Sequence, residues 1–285
     1  MLGVITIDYK NPQLTIDFCN RELKKINVPY KCVVVVNSAT EQEIEIICKE
    51  TDGIRVDEFT QIKDSNLYIL PSRINLGYAK GNNFGVEFLC KNFNINYLLF
   101  TNNDIEILSG NIIRSLLDVL ESNSNIGAIG PRVIGLDGNE QSPHHRIISP
   151  YRQIGWKLFP FLRKKNKIKK EILRSIPNTG FCYWVSGAFF LMKAEDFIKI
   201  GGFDPNTFLY CEEPILAERL KTINKKMYFL NECNVLHYEG SSSTKKRPKG
   251  NWNKYLIEST CYYYQKYLHY SPIIIQLYKL IIRKK

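Results

Sequence analysis

The sequence predicts an α/β fold built on a mostly parallel sheet, and three observations carry that expectation. Short apolar runs alternate with amphipathic stretches of helical period, the pattern of strands joined by crossover helices. Runs such as Val33 to Val36 and Tyr97 to Phe100 are apolar nearly throughout, as strands buried on both faces must be. These runs end in polar turns: Asp8-Tyr9, Asn37-Ser38 and Asn102-Asn103-Asp104. Ligands of open α/β sheets bind outside the carboxyl ends of the strands, so these turns mark the expected site.

Taken in order, Val4 to Ile7 reads as the first strand. Asn11 then serves as a helix N-cap with Pro12 at the first helical position, and Leu14, Phe18, Leu23 and Ile26 supply an apolar face. Cys32 to Val36 is a second strand, Glu41 to Lys49 a helix and Leu67 to Leu70 a third strand. Three glycines in Asn75-Leu76-Gly77-Tyr78-Ala79-Lys80-Gly81-Asn82-Asn83-Phe84-Gly85 open a helix that continues through Val86, Leu89 and Cys90. Glycine admits close backbone approach and a helix N-terminus favours anions, but the spacing is not that of a dinucleotide fold. After the strand Tyr97 to Phe100, Ile112, Ile113, Leu116, Leu117 and Leu120 mark an amphipathic helix, and Ile126 to Ile129 another strand.

Residues 131–178 read as an irregular segment with five prolines, a binding loop or lid in which His144-His145 either touches an acceptor or is merely exposed. Val185 to Met192 reads as a strand broken by Gly187-Ala188, followed by a helix over Ala194 to Ile200. Glu212 and Glu213 precede Pro214 at the start of a helix, where the dipole favours carboxylates. Met227 to Leu230 and Asn234 to Tyr238 read as two strands, with His237 near an end. Each acidic or histidine candidate has a plain alternative: Asp104 as a turn residue, the glutamates as helix-start acids, His237 as a structural imidazole.

The 285 residues suffice for one large domain or two small ones, and 44% hydrophobic with 24% charged residues is a globular balance. None of the eight cysteines forms a C-x-x-C pair, which argues against a zinc knuckle and for small core residues in a reducing compartment. No secretory signal stands at the start, and no run reaches the ~18 to 20 apolar residues of a membrane span. A cytoplasmic protein, peripheral on the inner face of the membrane, is expected. The net charge of +11 is uneven: residues 245–285 carry +9, residues 163–170 carry +6 and the remainder −4. Such clusters point to an anionic partner. From Trp252 on, Tyr255, Tyr262, Tyr263, Tyr264, Tyr267, Tyr270 and Tyr278 crowd a basic segment, read as an interfacial helix on an anionic membrane or as a helix packed on the domain by its Tyr and Ile side.

In their order these pieces resemble the family-two glycosyltransferases of GT-A fold, in particular the rhamnosyltransferase-like branch that builds bacterial surface polysaccharides. The likeness covers roughly residues 3 to 245. It rests on Asn75 to Gly85 as the donor-side loop and on Thr101-Asn102-Asn103-Asp104 as a D-x-D variant. Ser186-Gly187-Ala188 with Gly201-Gly202-Phe203-Asp204 matches the acceptor-half signature. Phe208-Leu209-Tyr210-Cys211-Glu212-Glu213 matches a Tyr-x-Glu-Asp segment, and His237 with Gly240 and Ser241-Ser242-Ser243 a late His motif. Three positions depart from the pattern: Asn37 for a base-reading Asp, Glu213 for Asp, and Ile215 for a further Asp.

The resemblance implies a nucleotide-diphospho-sugar transferase domain over 1–245, Rossmann-like, with a nucleotide-sugar half (1–110) and an acceptor half (111–245). A basic, Tyr-rich helical tail (246–285) follows. It implies an inverting, metal-dependent transfer of a sugar, rhamnose among the candidates, from a nucleoside-diphosphate sugar to a lipid-linked saccharide acceptor. Asp104 and His237 are the expected ligands of a Mg²⁺ or Mn²⁺ ion, and Glu213, with Glu212 as alternative, is the expected general base. Thr6, Asp8, Asn37, Asn75, Gly77, Gly81, Asn83, Asn102, Asn103 and Gly187 are the expected nucleotide-sugar contacts. The competing reading is a non-catalytic basic binder of nucleic acid or anionic polymer, but no nucleic-acid motif is present and the charge avoids the glycine-rich stretch and Asp104. A nucleotidyltransferase would carry a basic Gly-rich loop after the first strand, unlike Asp8-Tyr9-Lys10-Asn11-Pro12.

Overall fold

The computed structural model describes residues 1–38, 40–57, 62–161, 178–238 and 251–283. The basic run 163–170 and the Gly240 to Ser243 part of the late His motif lie outside the described residues.

The first half alternates as expected: β1 (Leu2–Asp8), α1 (Pro12–Asp17), β2 (Tyr30–Asn37), α2 (Glu41–Thr51), β3 (Ile54–Arg55), β4 (Leu67–Ser72), α3 (Gly77–Asn92) and β5 (Tyr97–Thr101). After α1 the chain continues through a π turn (Phe18–Glu22) and a 3₁₀ turn (Leu23–Lys25) before reaching β2. Then come β6 (Ile105–Ile107), α4 (Ile112–Ser122), β7 (Ile126–Gly135), α5 (Pro150–Leu158), β8 (Gly180–Cys182), β9 (Phe189–Lys193), α6 (Ala194–Lys199), α7 (Glu212–Lys221) and β10 (Lys226–His237). Two helices end the described chain, α8 (Asn251–Lys266) and α9 (Pro272–Arg283).

All ten strands join one sheet in the order β3-β4-β2-β1-β5-β9-β7-β10-β6, with β8 paired to β10. The five strands on the β3 side are parallel, whereas β9, β6 and β8 pair antiparallel to their neighbours. Successive side chains of a strand point to opposite faces. Accordingly Val4, Val34 and Val36 enter one core with the apolar face of α4, while Ile5, Val33 and Val35 enter the other with α3. Phe100 is fully buried in the second core, its ring 5.0 Å from both Phe190 and Phe203. Truncating such a ring to alanine costs about 3–5 kcal/mol. The glycines of α3 explain how closely this helix approaches the sheet: a Cβ on Gly85 would stand 2.8 Å from Ile5 Cγ2 and 3.1 Å from Val35 Cγ2.

Four expectations are corrected. Residues 131–178 are not wholly irregular, since β7 runs on to Gly135 and α5 follows. Pro131 lies in β7 beyond its last β9 partner, Ile129, and opposite Leu230 of β10, where that pairing shifts register. Pro150 occupies the first turn of α5 behind a Ser149 cap, a favourable place for proline. The strand expected from Val185 begins only at Phe189, because Gly187 and Ala188 turn the chain. The two late strands are one, β10, with its register shift between Leu230 and Asn234. Finally, the interfacial reading of the tail tyrosines gives way to the packed one: Tyr263, Tyr264 and Tyr278 are buried with Ile154, Ile215 and Ile275 in a third core formed by α5, α7, α8 and α9.

Candidate active site

Chain order reverses around β1, which has β2 on one side and β5 on the other. The crevice at such a reversal is where α/β sheets take ligands. Thr6 and Asp8, two residues apart on β1, point to the same face and are buried there. Asp8 Oδ1 accepts from Thr15 Oγ1 at 2.6 Å, and Asn103 Nδ2 donates to Thr15 Oγ1 at 2.8 Å. This ties β1, α1 and the turn after β5 together. Thr6 Oγ1 and Asp8 Oδ2 are buried without a hydrogen-bond partner, a costly condition for polar atoms. Burial pushes the Asp8 carboxyl above its ordinary range, and the Thr15 bond opposes that shift.

Asn37 ends β2 and grips the next segment with both halves of its amide. It accepts from Leu76 N and donates to Gly77 O, both at 3.4 Å. Asn75 Oδ1 accepts from Gly77 N at 2.9 Å, closing a local turn. Gly77 has φ +71°, and a Cβ there would run into the carbonyl oxygen of Phe208, which accepts from Tyr78 N at 3.0 Å. Only glycine fits both demands. Gly81 and Asn83 lie inside α3 rather than on a loop, because the helix starts at Gly77. Gly81 packs on Ile7, and the Asn83 amide bonds Phe203 O at 2.9 Å and Phe203 N at 3.0 Å.

The second cluster forms where β5 gives way to β6. The antiparallel pairing of β6 with β10 sets Ile105 opposite His237, and Tyr238 N donates to Asp104 O at 2.8 Å. That register brings Asp104 and His237, 133 positions apart, side by side: Nε2 stands 3.1 Å from Asp104 Oδ1 and 3.1 Å from Asn102 Nδ2. Nδ1 lies 2.7 Å from Gln141 Oε1. Nε2 thus lies within hydrogen-bond distance of both Asp104 and Asn102, and Nδ1 within that of Gln141. In an Nδ1–H tautomer, Nε2 and Asp104 Oδ1 would both present lone pairs, a pair that a cation could share. Two cis ligands of an octahedral Mg²⁺ at about 2.1 Å stand about 3.0 Å apart, close to the spacing seen here. A carboxylate with a neutral imidazole suits Mg²⁺ or Mn²⁺. Among the described residues no group of three or more His, Cys, Asp and Glu gathers that could hold a metal.

The third cluster sits at the start of α7. Tyr210 and Cys211 both adopt the left-handed region (φ +74° and +69°), a costly pair for residues with side chains. The tight turn they make presents Glu212 and Glu213 together. Glu213 Oε1 accepts from Gly187 N at 3.0 Å, and Tyr78 donates its hydroxyl to Gly187 O at 2.8 Å. A Cβ on Gly187 would stand 2.6 Å from Glu213 Oε1, so the carboxylate needs glycine there. Ala188 O in turn accepts from Asn102 N at 2.9 Å, so the 187–188 turn links the glutamates to the Asp104–His237 side. Glu212 is buried with Oε1 unpartnered. Burial, then the neighbouring Glu213 charge, pushes Glu212 up to about 8, and burial raises Glu213. Adjacent carboxyls do not ionise together cheaply, so Glu213, with its backbone donor, takes the charge and Glu212 keeps a proton at neutral pH.

Helix α8 backs this turn. Ser259 Oγ donates to Leu209 O at 2.8 Å, and Tyr262 and Tyr267 donate to Asp204 Oδ2 at 2.8 and 2.5 Å. Arg219 of α7 donates to Gly201 O and Gly202 O at 3.1 and 2.8 Å. The Gly201 to Asp204 signature is therefore a joint between α3, α7 and α8. His144 and His145 are both exposed, and the His144 ring stacks on Trp184 with centroids 4.6 Å apart. Gln141 escaped sequence reasoning, because nothing around it has a period or motif. Tyr78 was visible within the glycine-rich stretch, but its hydroxyl bond to Gly187 spans 109 positions.

No family profile matches the chain. It is 26% identical over 167 residues to rhamnosyltransferase WbbL of Escherichia coli, a match spanning 57% of this chain and only 61% of that protein. It is 24% identical over 226 residues to the N-acetylglucosaminyl-diphospho-decaprenol L-rhamnosyltransferase of Mycobacterium tuberculosis, covering 72% of this chain and 70% of that one. Among solved structures, the mannosyltransferase PcManGT of Pyrobaculum calidifontis, in complex with GDP-Man and Mn²⁺, superposes with a TM-score of 0.57 at 11% identity. That superposition takes in 98% of this chain and 68% of PcManGT. The chain is a GT-A-fold protein, related in sequence to the rhamnosyltransferase-like branch of the family-two glycosyltransferases.

Proposed function

We propose that the protein is an inverting glycosyltransferase that moves a sugar, rhamnose foremost, from a nucleoside diphosphate to a saccharide carried on a lipid, in the synthesis of a cell-surface polysaccharide. The observation that carries this reading is the pairing of Asp104 Oδ1 with His237 Nε2 at 3.1 Å, joined through Asn102 and the 187–188 turn to Glu213. The relatives are transferases, and one is named for a decaprenol-linked acceptor, which favours this reading of the basic charge over a polymer binder.

Thr6, Asp8 and Asn103 supply polar atoms at the deep end of the crevice for the nucleotide, and Asn37, Asn75 and Gly77 shape its wall. Asp104 and His237 hold a divalent cation, Mg²⁺ or Mn²⁺, which when bound neutralises charge on the departing diphosphate. Glu213, its Oε1 oriented by Gly187 N–H, accepts the proton of the acceptor hydroxyl as that oxygen bonds to the anomeric carbon. The bond from that carbon to the diphosphate oxygen breaks, and the nucleoside diphosphate leaves with the electron pair. One base and one displacement give inversion. A product of retained configuration by NMR overturns the mechanism.

The test of function is thermal stabilisation of the purified protein by a panel of nucleotide sugars, each with Mg²⁺ or Mn²⁺. A metal-dependent rise with one donor is expected; no rise with any donor, against stabilisation by polyanions, supports the binder instead.

A further inference from the structure

The third core leaves one of its helices unfinished. Ile274, Ile275 and Tyr278 turn the inner face of α9 into the protein. Yet Ile273, Leu277 and Leu280, spaced four and three apart, form a second apolar stripe on its outer face. Ile273 is 83% exposed and Leu280 58% exposed. An exposed apolar stripe flanked by polar residues marks an interaction surface. Helix α5 lies against α9, with Gln153 Oε1 accepting from Tyr278 at 3.1 Å, and its own end exposes Leu158, Phe159 and Phe161.

Charge says what covers these side chains. Gln276, Lys279, Leu280 and Arg283 line one shallow groove on α9, so cations stand beside the apolar stripe, Arg283 3.8 Å from Glu258. Lys157 is exposed at the end of α5. A second copy of this face would bring like charges together, whereas an anionic lipid surface complements them. No helix among the described residues is long and apolar enough to cross a membrane, so contact through this face is by lying on the surface.

We propose that the outer face of α9, with the exposed end of α5, seats the protein on an anionic lipid bilayer, inserting Ile273, Leu277 and Leu280 between headgroups that Lys279 and Arg283 attract. The role rests on the reading of the acceptor as lipid-linked, and it places the contact on the aliphatic stripe rather than on the buried tail tyrosines. The stripe shares a small body with the Glu212–Glu213 turn, since α8 braces that turn and packs on α9.

The test is co-sedimentation of the full chain with vesicles of phosphatidylcholine alone and of phosphatidylcholine mixed with phosphatidylglycerol. Binding to the anionic vesicles that weakens with salt is expected. Leu277→Glu/Leu280→Glu should lower partition about tenfold or more with an unchanged melting temperature, since both side chains are exposed. Lys279→Glu should weaken binding to the anionic vesicles only. Wild-type protein that ignores both vesicles, or a double variant that binds like wild type, overturns the proposal. So does a dimer in light scattering that the double variant dissociates, which would make a second copy the occupant. Donor stabilisation, measured on the same variants, reports separately on the transferase reading.

Discussion

The two acidic clusters are built on opposite principles. At Asp104 the carboxylate meets an imidazole whose far nitrogen is engaged by Gln141, two cation-ligating groups 3.1 Å apart. At Glu212 and Glu213 two carboxyls share one buried helix start, and burial, then the neighbouring charge, pushes Glu212 up. The first arrangement invites a cation; the second prepares a base with a neutral acid beside it. Transfer from a diphosphate needs both kinds of place, one for charge that departs and one for a proton that arrives.

The contrast breaks most sharply at Asp104. Asp104→Ala should lower turnover about 10³-fold or more and abolish the metal-dependent part of donor stabilisation, both read on the same preparation with and without EDTA. A loss under about tenfold removes Asp104 from the cation site. Glu213→Gln comes next, with turnover down about 10²- to 10⁴-fold and donor affinity unchanged by calorimetry. Should Glu212→Gln be the inactive variant while Glu213→Gln turns over, the two neighbours exchange roles. Gln141→Leu is gentler. It frees the ring to rotate, and Mn²⁺ affinity should fall about 10- to 100-fold by titration, with Gln141→Glu restoring most of it. Equal affinity in both variants would leave Gln141 no part in orienting His237.

The two halves of the chain were unequally legible. Val33 to Val36 and Tyr97 to Phe100 announce themselves because a parallel strand buried on both faces has no polar register to hide in. Asn102 to Asp104 follows directly as the tip of such a strand. The second half mixes parallel and antiparallel neighbours, and its signals cancel: Pro131 looks like a breaker but stands inside β7, opposite Leu230 of β10, and Gly187 looks like a strand break but is the turn that receives Glu213. The tail misled because tyrosine serves an interface and a core equally well. The hydroxyls of Tyr262, Tyr264 and Tyr267 find partners in Asp204, Ile148 and Gln153, which sequence spacing of 58 to 116 positions cannot display. Gln141 is the extreme case, since its meaning comes entirely from a ring 96 positions away.

The smallest expected effect is also the one that separates the two acidic sites without any substrate. Glu212 is raised in the folded protein to about 8, first by burial and then by the Glu213 charge, against an ordinary glutamate value of about 4.3. Below about pH 4.3 both folded and unfolded chains keep the proton, and the contribution to stability is whole. Between there and about 8 the unfolded chain ionises first, so stability drains away as pH rises. Glu212→Gln cannot ionise and lacks that slope. Its melting temperature should therefore gain on wild type steadily from about pH 5 to about pH 8, and the two curves should run parallel at lower pH. Because glutamine copies the neutral acid, turnover near neutral pH should stay within about tenfold of wild type. Parallel melting curves across the whole window would mean that Glu212 is ionised in the folded protein, and the division of labour between it and Glu213 would have to be reversed.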